Sequence, residues 1–199
     1  SIIDKGGELA KMDAKKAMSE AINSLLKSGV CTIGEISSFG SELEILATSP
    51  LKVVLFSEIL GSNEQMSEQN LQNFLAKFEK TKGYKSQNFT PAISLHSPYS
   101  VHPKLAKATL EIAKKDGLLV STHFLESKAE KQWLERGSGG FKKHLLRFSP
   151  DPKPMYDADG YFAMFREVNT LFTHCVYVSD FAKFKPHHSV THCAVSNRL

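Results

Sequence analysis

Short apolar runs rich in β-branched residues alternate with amphipathic helical patterns, and this alternation constrains the fold more than any other feature. The six runs are GVCTIGEI from Gly29, KVVLFSEI from Lys52, AISLH from Ala92, GLLVSTH from Gly117, TLFTH from Thr170 and HSVTHCAVSN from His188. Between them, apolar residues recur at i, i+3 and i+4, which is the spacing of a helix face. A strand–helix–strand repeat brings parallel strands together, so the pattern predicts an α/β fold with a parallel sheet.

The connection from Ser127 to Val168 is longer than the others and contains two turn-rich segments, ERGSGG and SPDPKP. Glycine and proline in these segments mark chain reversals, so we expect two helices with a loop between them, the second around Phe162 to Val168. An insertion of this kind either closes over a ligand or is a peripheral excursion without a role. Composition does not decide between these two possibilities.

The composition is typical of one globular domain and argues against several functional classes. The 199 residues include 25 basic and 21 acidic side chains, for a formal net charge of +4, and contain no dense basic tract. We therefore expect no nucleic-acid partner. Three cysteines without a C-x-x-C pair argue against a disulfide framework and suit the cytoplasm. No apolar run approaches membrane-spanning length, so no membrane partner is expected either.

Three consecutive apolar runs end in a histidine, at His96, His123 and His174. Because residues i and i+2 of a strand share a face, alternation predicts that Phe172 and His174 both lie on the interior side of the sheet. The carboxyl ends of parallel strands in a β/α barrel converge on one cavity, where catalytic groups collect. Neutral imidazole is a good ligand for a divalent cation, so a metal site is one hypothesis for this cluster.

Glu126 follows the second of these histidines by three positions, at the first turn after the strand. In that place it could shuttle protons for a metal-activated water, or it could be a helix N-terminal carboxylate favoured by the helix dipole. Spacing alone leaves both interpretations open. Glu58 is a weaker candidate, since a surface ion pair explains it as well. His192 and Cys193 are expected inside a buried strand.

Four segments in this order, SLHSPYSVHP, STHFLES, LFTHCVYVSD and THCAVSNRL, resemble the amidohydrolase superfamily, in its branch of deaminases and chlorohydrolases. The segments THFLESKAE, FTHCVYVS and SNRL are most similar to those of the aminodeoxyfutalosine deaminases. The resemblance implies a (β/α)8 TIM barrel of the metal-dependent hydrolase type, with one divalent metal, zinc or iron, and zinc favoured. It also implies a single domain over residues 1–199, truncated at both ends.

The resemblance also implies roles for individual residues. His123 matches the metal ligand, Glu126 the proton-shuttling glutamate, and His174 the histidine that orients and helps to activate the attacking water. His96 matches a histidine that contacts substrate. The last two matched residues, with a supporting role at the substrate, are Ser196 and Asn197.

Other parts of the family pattern are missing from this sequence. Neither the H-x-H metal pair of the first strand nor the aspartate of the last strand is found. Barrels of this type need about 250 residues, so six runs in 199 residues suggest an incomplete barrel that lacks its first and last strands. The absence of a starting methionine agrees with an internal piece of a longer product. We expect the isolated chain to bind metal poorly.

The function implied by the resemblance is hydrolytic deamination of an aminated purine nucleoside, with release of ammonia. The specific substrate implied is 6-amino-6-deoxyfutalosine of menaquinone biosynthesis, with adenosine-type analogues next. Two alternatives remain, namely a chlorohydrolase or guanine-type deaminase on the same barrel, and a catalytically incomplete fragment. The expected partner is a small molecule, and the assembly is left open between a single chain and a homodimer.

Overall fold

The computed structural model describes residues 14–147 and 150–198. Six parallel strands form one sheet in the order β1-β2-β3-β4-β5-β6, which is the order of the chain. The strands are β1 (Thr32–Ser37), β2 (Lys52–Ile59), β3 (Phe89–Leu95), β4 (Val120–Phe124), β5 (Thr170–His174) and β6 (His188–Thr191). The helices are α1 (Ala14–Lys27), α2 (Leu43–Ala47), α3 (Ser67–Lys82), α4 (Pro103–Asp116), α5 (Lys128–Arg136), α6 (Gly140–Leu145) and α7 (Ala158–Ala163). The predicted α/β class and parallel sheet are confirmed.

The described chain separates into two compact units, Ser1–Ser57 with Lys77–Pro91, and Glu58–Ala76 with Ala92–Leu199. The prediction of a single domain over residues 1–199 stays a prediction. The N-terminus, from which a starting methionine is absent, belongs to residues 1–13 and lies outside the described residues. Within the described residues, no helix combines the length and apolar character needed to cross a membrane.

The first unit is organised around the pairing of β1 with β2, in register from Thr32 opposite Lys52 to Ser37 opposite Ser57. Apolar side chains of α1, α2, β2 and β3 bury one another here. Burial of an aliphatic or aromatic side chain contributes about 1.5–3 kcal/mol, so this cluster stabilises the unit. Its buried members are Ile22, Leu46, Leu51, Val53, Leu55 and Phe89.

The second unit carries an aromatic layer on the helix-facing side of β4 and β5. Thr122 is opposite Phe172 in the register of the two strands, and the Thr122 hydroxyl lies 2.6 Å from the Tyr161 hydroxyl of α7. Phe172 is completely buried, with its ring centroid 5.0 Å from that of Phe162. The prediction that Phe172 lies on the interior side is therefore wrong, because Thr122 and its register partner both face the helices.

In its described residues, the segment from Ser127 to Val168 contains three helices rather than the predicted two. Gly139, at φ 89°, allows the backbone to turn into the short α6. Asp157 begins α7, since its side chain accepts a hydrogen bond from the N–H of Gly160 at 2.7 Å. With this cap, the helix predicted around Phe162 to Val168 instead begins at Ala158 and ends at Ala163.

The last apolar run forms a shorter strand than its sequence suggests. β6 ends at Thr191, and most of its residues are exposed. The chain then turns, with the N–H of Asn197 donating to the carbonyl of Cys193 at 2.9 Å. The expectation that His192 and Cys193 lie in a buried strand is wrong, because this local turn replaces pairing with β5.

Candidate active site

His123 lies near the end of β4, where strand alternation directs its side chain away from the aromatic layer. Its backbone N–H donates to the carbonyl of His96 at 3.1 Å, and its ring Nδ1 lies 2.7 Å from the same oxygen. A carbonyl oxygen can only accept, so Nδ1 carries the hydrogen and Nε2 keeps its lone pair. His123 is thus fixed in the tautomer that can bind a metal through Nε2.

His174 reaches the same place by a different route. It is opposite Phe124 in the register, so regular alternation would point it towards the helices. Instead His174 has φ 78° and Cys175 has φ 52°, both in the left-handed region that side chains with a Cβ rarely adopt. The imidazole stacks on His123, with ring centroids 5.4 Å apart and planes at 25°. His174 therefore lies beside His123, as expected, but the left-handed backbone and not strand alternation directs it there.

Glu126 and His174 bring a carboxylate and an imidazole into contact within the cluster. Glu126 Oε1 lies 3.4 Å from His174 Nε2, and the two side chains are 42% and 9% exposed, respectively. On the other side of the ring, Nδ1 lies 3.2 Å from Oδ1 of Asn197. If Nδ1 donates to this amide oxygen, Nε2 faces the Glu126 carboxylate, and the two groups can share one proton. Such a pair can accept and deliver protons.

His96 is held by two hydroxyls from the loop that follows β3. Its Nδ1 lies 3.0 Å from Ser97 Oγ and 2.6 Å from Ser100 Oγ. Burial lowers the pKa of His96, the negative charge of Glu58 opposes this change, and His123 adds to it. The ring centroid lies 5.3 Å from that of His123, so the structure brings His96 into the same cluster.

The two predicted residues nearest the C-terminus differ in position. Asn197 contacts the ring of His174, as described above. Ser196 is exposed, and its hydroxyl donates to the carbonyl of Cys193 at 3.2 Å. The structure therefore brings Asn197, but not the Ser196 hydroxyl, to the histidine cluster.

Two further carboxylates lie near the cluster, namely Glu58, the weaker candidate of the sequence analysis, and Glu130, which the sequence reasoning missed. Glu58 is only 9% exposed, and its charge acts on His96 and Tyr99. Glu130 is 2% exposed, and burial raises its pKa to about 7 even though backbone N–H groups act in the opposite direction. The S-x-x-E spacing of Ser127 and Glu130 is a capping-box signal that could have identified the second carboxylate.

His123 is suited to bind a divalent cation, but the described residues do not provide a complete metal site. Nε2 of this histidine has a free lone pair, and its second nitrogen is bonded to a carbonyl, as is usual for metal-ligating histidines. Among residues 14–147 and 150–198, no three histidine, cysteine, aspartate or glutamate side chains are grouped so that they could hold a metal ion. Nε2 of His123 is therefore one donor that could bind a divalent cation.

Parallel β/α units that gather imidazoles and a carboxylate at adjacent strand ends have the arrangement of β/α-barrel enzymes. The chain belongs to the amidohydrolase family, whose profile, described as "Amidohydrolase family", matches residues 5–199. The family resemblance of the four motifs is thus confirmed.

Three relatives are similar over the whole chain. Aminodeoxyfutalosine deaminase of a Nitratiruptor species is 38% identical, with 100% of this chain and 50% of that protein covered. Adenosine deaminase of Helicobacter pylori is 35% identical with the same coverage. The crystal structure of Helicobacter pylori aminofutalosine deaminase in complex with methylthio-coformycin has a TM-score of 0.90 at 33% identity, covering 100% of this chain and 50% of that chain.

The chain therefore spans about half the length of the curated relatives it matches. The high TM-score confirms the predicted fold class, a β/α barrel of the amidohydrolase type that is incomplete in this chain.

Proposed function

We propose that this chain supplies the proton-transfer residues of a metal-dependent hydrolytic deaminase, an enzyme that releases ammonia from an aminated purine nucleoside. The observation that carries the proposal is the 3.4 Å approach of His174 Nε2 to Glu126 Oε1, beside the stacked ring of His123. The names of the two relatives, an aminodeoxyfutalosine deaminase and an adenosine deaminase, support the same reaction class.

His123 is the residue that would hold the metal, for which we propose zinc, with iron as the alternative. The carbonyl of His96 fixes its tautomer and leaves Nε2 available. When bound, a divalent cation supplies Lewis-acid chemistry and lowers the pKa of a water molecule towards about 7.

Glu126 and His174 would move the protons of the reaction. As the water oxygen bonds to the amine-bearing carbon, the carboxylate of Glu126 accepts one of its protons and delivers it to the adjacent ring nitrogen. Glu126 then passes the second proton, from the new hydroxyl group, to the amino group, which leaves as ammonia while the C–N bond breaks and the carbonyl forms. His174, whose other nitrogen is held by Asn197, orients the water and shares its proton with Glu126. A positioned acid–base pair of this kind contributes about a hundred- to ten-thousand-fold to the rate.

The substrate we propose is 6-amino-6-deoxyfutalosine, which places the reaction in menaquinone biosynthesis in the cytoplasm. His96, held by Ser97 and Ser100, is the proposed substrate contact. For Ser196 and Asn197 we retain the supporting role at the substrate that the family resemblance implies. The proposed partner is this small molecule, with the assembly open between a single chain and a homodimer.

The test is ammonia release by the full-length protein that contains this chain, before and after treatment with a chelator. Aminodeoxyfutalosine and adenosine should both be deaminated, and only with metal bound. Preferential turnover of free guanine would indicate a guanine-type deaminase, and chloride release from a chlorinated triazine would indicate a chlorohydrolase. Turnover that is unchanged after the metal is removed would contradict the hydrolytic scheme.

A matched pair of variants tests the proton-transfer step itself. Glu126→Gln should retain metal and lose most turnover, because the amide cannot carry the proton. Glu135→Gln, which changes an exposed carboxylate paired with Lys131, should leave turnover unchanged. If Glu126→Gln keeps full activity, the proposed function is wrong.

A further inference from the structure

Glu130 is a buried carboxylate that the proposed reaction does not use. It lies in the first turn of α5 and is one of the largest fully buried side chains, with 2% of its surface exposed. Burial of a carboxylate is costly unless its oxygens are hydrogen-bonded, so the contacts of this side chain indicate what it is for.

Both carboxylate oxygens bind the turn that leads from β4 into α5. Oε1 accepts from the N–H of Leu125 at 3.0 Å, and Oε2 accepts from the N–H of Glu126 at 2.9 Å. The Ser127 hydroxyl in turn accepts from the N–H of Glu130 at 3.1 Å. Two adjacent peptide groups are thus fixed by one side chain.

This turn needs such support, because Leu125 has φ 47°, a left-handed conformation that is unfavourable for a branched side chain. A fixed peptide at Glu126 sets the direction in which its side chain leaves the backbone. The Glu126 carboxylate then lies 3.4 Å from His174 Nε2.

The same turn is bonded to the loop that follows β5. The carbonyl of Phe124 accepts from the N–H of Cys175 at 2.9 Å, and the carbonyl of Leu125 accepts from the N–H of Tyr177 at 3.0 Å. Glu130 therefore supports a backbone segment that carries Glu126 and is bonded to Cys175, the residue that follows His174.

We propose that Glu130 is a positioning residue, which holds the backbone of Leu125 and Glu126 so that the Glu126 carboxylate faces His174. This inference rests on the proposed function, since it assigns to Glu130 an effect that passes through Glu126. Substitution of Glu130 is therefore expected to change the rate of turnover more than the binding of substrate.

The test uses the full-length protein with bound metal and compares Glu130→Gln with the control Glu135→Gln on the same helix. The glutamine amide presents an N–H group to one of the two backbone N–H donors, so the turn loses a bond. Because small misplacements of catalytic groups can cost about a hundredfold, we expect kcat to fall about 10- to 100-fold. KM should stay within about twofold, metal content should be unchanged, and the control should match the wild type.

A double-mutant cycle separates positioning from a general effect on folding. If Glu130 acts through Glu126, adding Glu130→Gln to Glu126→Gln should lower the remaining kcat by less than about twofold. An equal loss in both backgrounds, or an unchanged kcat for Glu130→Gln alone, overturns the inference. Full activity of Glu126→Gln alone instead overturns the proposed function, so the two failures are distinguishable.

A milder variant keeps the test decisive if Glu130→Gln does not fold. Ser127→Ala removes the hydroxyl that anchors the N–H of Glu130 and leaves the carboxylate in place. We expect a severalfold fall in kcat that disappears in the Glu126→Gln background. No change in kcat, or the same fall in both backgrounds, contradicts the positioning role.

Discussion

The ends of β4 and β5 both bring a histidine to the same place, but they do so by different physical means. His123 follows the alternation of its strand, and its ring is fixed by a backbone carbonyl, that of His96. His174 departs from alternation through a left-handed backbone, and its ring is held by a side chain, that of Asn197. One position follows from local strand geometry, and the other depends on contacts made elsewhere in the fold.

The cost of the second arrangement is conformational strain. Left-handed backbone costs roughly 1–2 kcal/mol for each residue that carries a Cβ, and His174 and Cys175 both adopt it. The hydrogen bond from the N–H of Cys175 to the carbonyl of Phe124 offsets part of this cost. Strain at a functional site persists where the surroundings hold it in place, so the position of His174 should be the more sensitive of the two.

The largest expected difference between the two strand ends concerns metal and turnover in the full-length protein. His123→Ala should remove most of the bound metal, because Nε2 is lost as a ligand. His174→Ala should keep the metal and lower kcat by about a hundred- to ten-thousand-fold. Metal analysis combined with an ammonia assay checks both, and equal loss of metal in the two variants would remove the distinction.

The buried carboxylate beside the end of β4 predicts a dependence of stability on pH. Burial raises the pKa of Glu130 from 4.5 to about 7, so the folded protein binds this proton more tightly than the unfolded chain does. The stabilising contribution is full below about pH 4.5 and is lost as the pH rises towards 7. Each pH unit corresponds to about 1.4 kcal/mol, which gives a loss on the order of 3 kcal/mol.

Denaturant unfolding at several pH values, with Glu130→Gln as the comparison, measures this effect. The difference in free energy of unfolding between wild type and variant should shrink as the pH rises over that range, because glutamine does not titrate. Glu135→Gln, at an exposed position of the same helix, should follow the wild type. A difference that is constant with pH would show that the Glu130 carboxyl does not titrate there.

The side chain that holds His174 can be replaced, whereas the carbonyl that holds His123 cannot. Asn197→Ala removes the acceptor for Nδ1 of His174, so we expect kcat to fall about tenfold with metal content unchanged. Asn197→Asp keeps an acceptor oxygen at this position and should retain more activity than the alanine variant. Equal kcat values for both variants would indicate that the acceptor has no role.

The smallest expected effect compares the two faces of β4. The hydroxyls of Thr122 and Tyr161 lie 2.6 Å apart in the aromatic layer, so Thr122→Val should cost about 1 kcal/mol of stability. On the opposite face, the buried Ser121 hydroxyl has no hydrogen-bond partner among the described residues, and Ser121→Ala should be neutral or slightly stabilising. Thermal unfolding of the two variants measures the difference, and a larger loss for Ser121→Ala would reverse the assignment.

Much of the fold could be predicted because its signals are local. Each of the six apolar runs contains or overlaps an observed strand, and Pro103 begins α4 as the first helical residue, as such prolines often do. The strand ends were less predictable. β6 stops at Thr191 because a turn closed by the Cys193 carbonyl replaces strand pairing, and no periodicity signals this choice.

The sequence by itself determined the order of the β/α units, with His123 near the end of one strand and Glu126 just after it, since period-2 and period-3.6 patterns depend on neighbouring residues only. The tertiary structure alone decided that Phe172 faces the helices while His174 turns towards His123. It also decided that the Glu130 carboxylate is buried against the turn that carries Glu126. The left-handed backbone at His174 and Cys175, which local preferences disfavour, is supported by a hydrogen bond from Cys175 to Phe124, a residue far away in the chain.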